Sequence, residues 1–335
     1  MNKQRALITG INGQDGSYLA ELLLSEDYEV HGLVRRASTN NLGRIQHILD
    51  KITLHEGDIT DSLFVNFLIN DISPQEIYNF AAQSHVQTSF TNPVYTYQTN
   101  TIGLLNILES VRQMGYLSNA KIYQASTSEM FGNVAPPQGL DSNFNPQSPY
   151  AISKLSAHDL IRFYRDTYNI FAVSGVLFNH ESPRRGDKFV TRKITKYFGH
   201  LALGQEKLKL GNIGARRDWG FAPDYVRLIY NHMTVVEEPN DFVLGTGRTN
   251  SVRTFLDLVG EYCGVDWKKH VDLYSDEYMR PADVPNLQAD STYFVPTDLE
   301  TLVKIMVDYD SRQHRDGYEY YEKNYSKIFA WSGCD

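Results

Sequence analysis

Tyr150 and Lys154 stand at positions i and i+4 of a helical pattern, and the triplet Thr127-Ser128-Glu129 precedes them in the chain. Residues at that spacing are neighbours on one helix face. A tyrosine beside a lysine suits alcohol oxidation on a nicotinamide cofactor, the phenol taking the hydroxyl proton while hydride leaves the carbon. Tyrosine ionises at about pH 10 when unperturbed. The expectation is that the Lys154 ammonium and a cationic nicotinamide lower the Tyr150 pKa, and that Lys154 also anchors the nicotinamide ribose.

Glu129 adds a second acid–base group, and with it an elimination rather than a plain dehydrogenation. In a hexose, oxidation at C4 acidifies the C5 proton. A carboxylate can then remove that proton, water leaves from C6, and hydride returns to C6 without net oxidation. On this reading Thr127 hydrogen-bonds the C4 oxygen, Ser128 the C6 oxygen, and Glu129 carries the proton transfers at C5 and C6. The competing reading is a capping serine or threonine with a surface glutamate, because S/T-x-x-E also marks helix starts.

These groups need elements to hold them. Residues 5–9 read as a buried strand, followed by Gly10, Gly13 and Gly16 in a G-x-x-G-x-x-G loop that also carries Gln14 and Asp15, then a helix from Ser17 to about Leu24. Such a loop lets backbone N–H groups approach a pyrophosphate at a helix N-terminus. Further strands are expected at 28–34, 52–56, 76–80, 121–125, 172–178 and 242–244, with helices at 99–114 and 151–168 between them. The alternation predicts an α/β fold, a Rossmann-like doubly wound parallel sheet with ligands at the C-terminal strand ends and a smaller C-terminal substrate-binding region. The second strand ends in Arg35, Arg36 and Ser38 where an NAD-selective fold carries an acidic residue. Guanidinium forks suit a 2′-phosphate, so NADP is the expected cofactor. Asp58 and Ile59 are placed to meet the adenine, and residues 81–84, with Ala82 and Ser84, to line the ribose and pyrophosphate.

The 335 residues allow one large domain or two unequal ones. The expected division is 1–178 plus about 209–252 for the dinucleotide, and about 179–208 plus 253–335 for the substrate. Net charge is −8, which disfavours a nucleic-acid partner. Two cysteines, Cys263 and Cys334, make neither a disulfide framework nor a metal site. With no apolar run long enough for a membrane span and a first strand starting at once, a cytoplasmic protein with no membrane partner is expected. Residues 318–327, rich in tyrosine and lysine, read as a helix without an assigned function.

With these residues assembled, the chain resembles the extended short-chain dehydrogenase/reductase superfamily and, within it, the GDP-mannose 4,6-dehydratase family, from residue 5 to about 308. The most specific stretches are residues 8–19, 34–36, 124–129 and 177–186. The resemblance implies that Thr127, Glu129, Tyr150 and Lys154 are catalytic, with Ser128 assisting. It implies NADP held by Gly10, Gly13, Asp15, Arg35, Asp58, Ala82 and Ser84, with His180 and Arg185 near the nicotinamide and adenine ends. It places a GDP-sugar on Asn179, Val190, Lys193, Arg217 and Arg280, and it implies a homotetramer, a dimer of dimers, whose 35–44 loop reaches a neighbour's cofactor. Three departures fall on the substrate side. Asp283 replaces a glutamate expected to contact sugar hydroxyls, the segment after Asp290 is shortened, and so is the region before Arg280. They leave GDP-manno-heptose beside GDP-mannose as substrate. A nucleotide-sugar epimerase or reductase, and a non-catalytic nucleotide sensor on the same fold, are the remaining alternatives.

Overall fold

The computed structural model describes residues 3–39, 41–115, 119–202, 204–273 and 281–316, with side chains to 311. Among the described residues twelve strands run in order: β1 (Arg5–Thr9), β2 (Glu29–Val34), β3 (Thr53–Glu56), β4 (Glu76–Asn79), β5 (Lys121–Thr127), β6 (Ala172–Leu177), β7 (Asn179–Glu181), β8 (Leu208–Leu210), β9 (Arg216–Phe221), β10 (Phe242–Leu244), β11 (Thr249–Ser251) and β12 (Val271–Leu273). The α-helices are α1 (Gln14–Ser25), α2 (Ser62–Ile72), α3 (Val86–Thr91), α4 (Pro93–Tyr97), α5 (Gly103–Gln113), α6 (Pro149–Tyr168), α7 (Val190–Gly199), α8 (Ala222–Val235), α9 (Val252–Cys263) and α10 (Leu299–Asp316).

Seven strands form one parallel sheet in the order β10-β6-β5-β4-β1-β2-β3. The order reverses between β1 and β4, the switch point at which a doubly wound sheet opens a crevice. Successive strand side chains point to opposite faces, and the core divides accordingly. Leu7, Leu33, Ile77 and Ile122 pack under α2, α5 and α6. Ala6, Ile8, Val30 and Tyr78 pack under α1 and α8. Burying each such aliphatic side chain contributes about 1.5–3 kcal/mol. The second cluster continues without a break into Ile194, Phe255 and Met306 of α7, α9 and α10. The region after β6 is therefore anchored to the sheet by apolar packing.

The strand readings hold at residues 5–9 and 242–244 and shift by one or two residues elsewhere; β5 runs on to Thr127. The helix read at 99–114 is a π-helical turn, Gln98–Ile102, leading into α5. Two small sheets, β11-β9-β7 and β12-β8, were not legible locally because each pairs segments distant in the chain. Past Asp290 the shortened segment seals the β10 edge: Thr292 N donates to Val243 O (2.9 Å) and Val243 N to the Thr292 hydroxyl (3.0 Å). Asp298 then caps α10 through Thr301 N at 2.8 Å. Arg280 and the 318–327 run lie outside the described residues, and no described helix is long and apolar enough to cross a membrane.

Candidate active site

A cleft of about 970 Å³ opens at the C-terminal ends of the central strands. Of the predicted site residues within the described chain, all but Arg36 line it. Arg36, just past the end of β2, is exposed and lies outside the cleft lining. Arg35 does line the cleft, where its guanidinium hydrogen-bonds the Tyr95 hydroxyl and sits 5.8 Å from that ring's centre.

The cofactor loop is shaped by what its glycines lack. Gly10 has φ +69°, and a Cβ there would meet Ala81 N at 3.0 Å. A Cβ on Gly16 would lie 2.5 Å from Gly10 O. The N-cap of α1 is Gly13, which offers no side chain, so the first-turn N–H groups keep their capacity for an anion. This cradle fits a dinucleotide pyrophosphate.

Asp15 stands in the same first turn, where a bare carboxylate would repel such a group. His180 offsets it: Nε2 lies 2.9 Å from Asp15 Oδ2 and Nδ1 lies 2.7 Å from Phe178 O. Both ring nitrogens face acceptors, so the ring carries two protons. Burial opposes that charge, but Asp15 outweighs it and raises the His180 pKa; burial likewise opposes ionisation of Asp15, and His180 outweighs it and lowers the Asp15 pKa. The ring stacks on Tyr225 with centres 4.7 Å apart.

The candidate reaction centre sits where β5 ends and α6 begins. Ser148 caps α6, its hydroxyl accepting from Ala151 N at 3.1 Å, and Pro149 occupies the first turn. That start places Tyr150 in the first turn and Lys154 one turn on, both buried. Thr127, the last residue of β5, accepts from Glu129 N (3.3 Å) and lines the cleft with Tyr150. Glu129, also buried, lies 3.9 Å from Arg217 Nε, and Arg217 reaches Asp283 at 3.6 Å. Carbonyls of Val284 (2.7 Å) and Arg216 (2.9 Å) accept from Arg217 and fix it.

One expectation is corrected here. The chain's own groups do not lower the Tyr150 pKa. Burial pushes it up to about 12, with Thr127 opposing and Glu129 adding to the rise. Burial also lowers Lys154 to about 8, and its Nζ donates to Ala125 O at 2.8 Å. The low dielectric that gathers these groups penalises both charges more than either offsets the other.

Two further arginines of the site were given no role of their own by the sequence. Arg44 hydrogen-bonds Arg184 O (2.8 Å) and Asn12 O (3.2 Å) of its own chain and lines the cleft. Arg184, buried, donates to Ser17 (3.1 Å) and Glu21 and covers the Tyr18 ring at 4.1 Å, tying the segment after β7 to α1. Its place in the specific stretch 177–186 was the hint in the sequence.

The sequence profile described as GDP-mannose 4,6 dehydratase matches residues 7–306. GDP-mannose 4,6 dehydratase 2 of Arabidopsis thaliana is 48% identical over 323 residues, covering 91% of this chain and 86% of its own. The Homo sapiens GDP-mannose 4,6 dehydratase is 46% identical over 321 residues (87% and 86%), and a Vibrio cholerae GDP-mannose 4,6-dehydratase is 44% identical over 321 (90% and 86%). Among solved structures, the fold matches a Thermotoga maritima UDP-glucose 4-epimerase with TM-score 0.83 at 23% identity, covering 93% of this chain and 100% of that one. It also matches a Bacillus anthracis dTDP-glucose 4,6-dehydratase with TM-score 0.79 at 21% identity, covering 97% and 99%. With the glycine cradle, the Thr127–Tyr150–Lys154 centre and Glu129 in one cleft, and with relatives of this closeness along nearly all of its length, the chain belongs to the GDP-mannose 4,6-dehydratase family.

Proposed function

We propose that this protein is a hydro-lyase that converts GDP-mannose to its 4-keto-6-deoxy product, with NADP as a tightly held cofactor. The observation that carries the reading is Glu129, buried beside Thr127 and Tyr150 in a cleft that also holds a pyrophosphate cradle. An epimerase or reductase has no need of that carboxylate.

The glycine loop, Asp58, Ile59, Ala82 and Ser84 would hold the dinucleotide, with Arg35 toward its 2′-phosphate. When bound, it supplies a hydride acceptor at C4 and a hydride donor at C6. Tyr150 takes the C4 hydroxyl proton, and Thr127, at the end of β5 in the same cleft, orients the C4 oxygen. Lys154 holds a positive charge behind the phenol. Glu129 removes the C5 proton and hands it to the departing C6 hydroxyl, which Ser128 steadies, and the proton that Tyr150 took at C4 is returned at C5 as C6 is reduced, so that only water is lost. Arg217, 3.9 Å from Glu129, faces the GDP diphosphate with Lys193, while Asn179 and Val190 line the same wall. Residues 179–208 and 253–335 serve as the sugar-nucleotide side, and the protein works in the cytoplasm as a homotetramer.

GDP-manno-heptose is the second reading. Asp283 supports it: a short side chain facing Arg217 leaves room that a glutamate would fill. Incubation with both GDP-sugars, read by mass for loss of one water, tests the function. Sustained NADPH consumption during turnover, or no loss of water from either sugar, would end the dehydratase reading.

A further inference from the structure

Two polar side chains of the cleft take no part in the chemistry above. Thr99 is 7% exposed, and its hydroxyl has no hydrogen-bond partner among the described residues. The Gln87 carbonyl oxygen, on α3, is likewise buried and unpartnered. Both line the cleft.

Their neighbours show that this is selective. Thr96 donates to Asn92 O at 2.8 Å, the usual back-bond of a helical threonine. Asn100 bonds Gln83 N (2.8 Å), Gln83 O (3.2 Å) and the Ser153 hydroxyl (2.9 Å), and Thr101 donates to Ser153 O at 2.8 Å. Only Thr99 in this run turns its hydroxyl away from the protein's own acceptors, and it does so from a π-helical turn, a distortion that recurs at functional sites. Gln83 braces the two positions. Its amide donates to Thr96 of α4 (2.9 Å) and His85 O (3.3 Å) and accepts from His85 N (2.8 Å), joining the helix just before Thr99 to the start of the helix that bears Gln87. His85 in turn meets the Phe189 ring edge-on at 5.7 Å, next to Val190 on the substrate side.

We propose that Gln87 and Thr99 form a subsite for sugar-ring hydroxyl groups. A buried amide oxygen requires a donor, a threonine hydroxyl takes either role, and a ring hydroxyl supplies both. A site held open in this way discriminates strongly against a ring lacking the hydroxyl, since the protein groups are then left unpaired. The inference rests on the GDP-sugar reading only for the choice of probes. The ring is a pyranose of the sugar nucleotide or a ribose of either nucleotide, and the probes separate these.

The test uses the full chain and equilibrium binding without turnover, comparing wild type with Gln87→Leu, Thr99→Val and Thr99→Ser. The probes are GDP-mannose, GDP and NADPH. Gln87→Leu and Thr99→Val should each weaken one probe about tenfold, the scale of one hydrogen bond to a buried group, and Thr99→Ser should not. Loss confined to GDP-mannose assigns the pyranose; loss shared by GDP assigns its ribose; loss with NADPH assigns the cofactor ribose. Folded variants that bind all three probes within twofold of wild type overturn the proposal. Gln87 is only half-buried, so its leucine variant keeps the test open should Thr99→Val fail to fold. Wild type that binds GDP-mannose no better than GDP counts against the dehydratase reading instead, while the GDP and NADPH arms still decide the subsite.

Discussion

Lys154→Met in the dinucleotide-stripped protein should make the fold more stable while abolishing its chemistry. Burial lowers the Lys154 pKa from 10.5 to about 8. At about 1.36 kcal/mol per pH unit, the buried ammonium costs the ligand-free fold about 3 kcal/mol at neutral pH. Methionine keeps the apolar stem without the charge. The carbonyl it leaves behind is not orphaned, because Ala125 O still accepts from Gln124 Nε2 at 2.9 Å. The sign follows from proton counts. Between about pH 8 and 10.5 the unfolded chain keeps the Lys154 proton and the folded chain does not, so wild-type stability rises with pH there and the advantage of Lys154→Met fades. Tyr150, raised to about 12, works in the opposite direction only above its ordinary range and is common to both proteins. Urea unfolding at intervals from pH 7 to 10 measures the difference. It should start near 3 kcal/mol and shrink above pH 8. A difference independent of pH, or a methionine variant less stable at pH 7, would refute the argument that Lys154 is held as a desolvated cation.

Glu129→Gln should retain the dinucleotide yet lose elimination by roughly 10²–10⁴-fold, the scale of one acid–base group; near-normal product formation in a mass assay would remove Glu129 from the mechanism. Arg35→Ala should weaken NADP more than NAD in parallel titrations, and equal losses would mean that Arg35 does not read a 2′-phosphate. Arg192→Met strands the fully buried Asp310 on α10, so urea unfolding should show a loss of about 3–5 kcal/mol, whereas a change under about 1 kcal/mol would mean that this pair does not help hold α10 on α7.

How much of this was legible locally follows from the range of the forces involved. The glycine loop, the parallel strands and the Tyr150–Lys154 pair are set by short-range geometry. Positive φ at Gly10 and the i, i+4 spacing on α6 are written in neighbouring residues. The Ser148 cap and Pro149 also mark in sequence where α6 starts. Composition does not say which of two adjacent arginines lines the cleft; the fold places Arg35 there and leaves Arg36 outside its lining.

The sequence by itself determined the fold class and marked the glycine loop and the Thr127-Ser128-Glu129 triplet, since each depends on residues close together in the chain. Tertiary structure alone decided the electrostatics. His180 meets Asp15 across 165 positions, and Arg217 meets Glu129 and Asp283 through β9, at distances set by packing rather than by spacing along the chain. Burial in that packing raises Tyr150 and lowers Lys154, reversing for the tyrosine the direction its lysine neighbour alone suggests. Desolvation is a property of everything that surrounds a group, so it appears only once the whole chain has folded around the site.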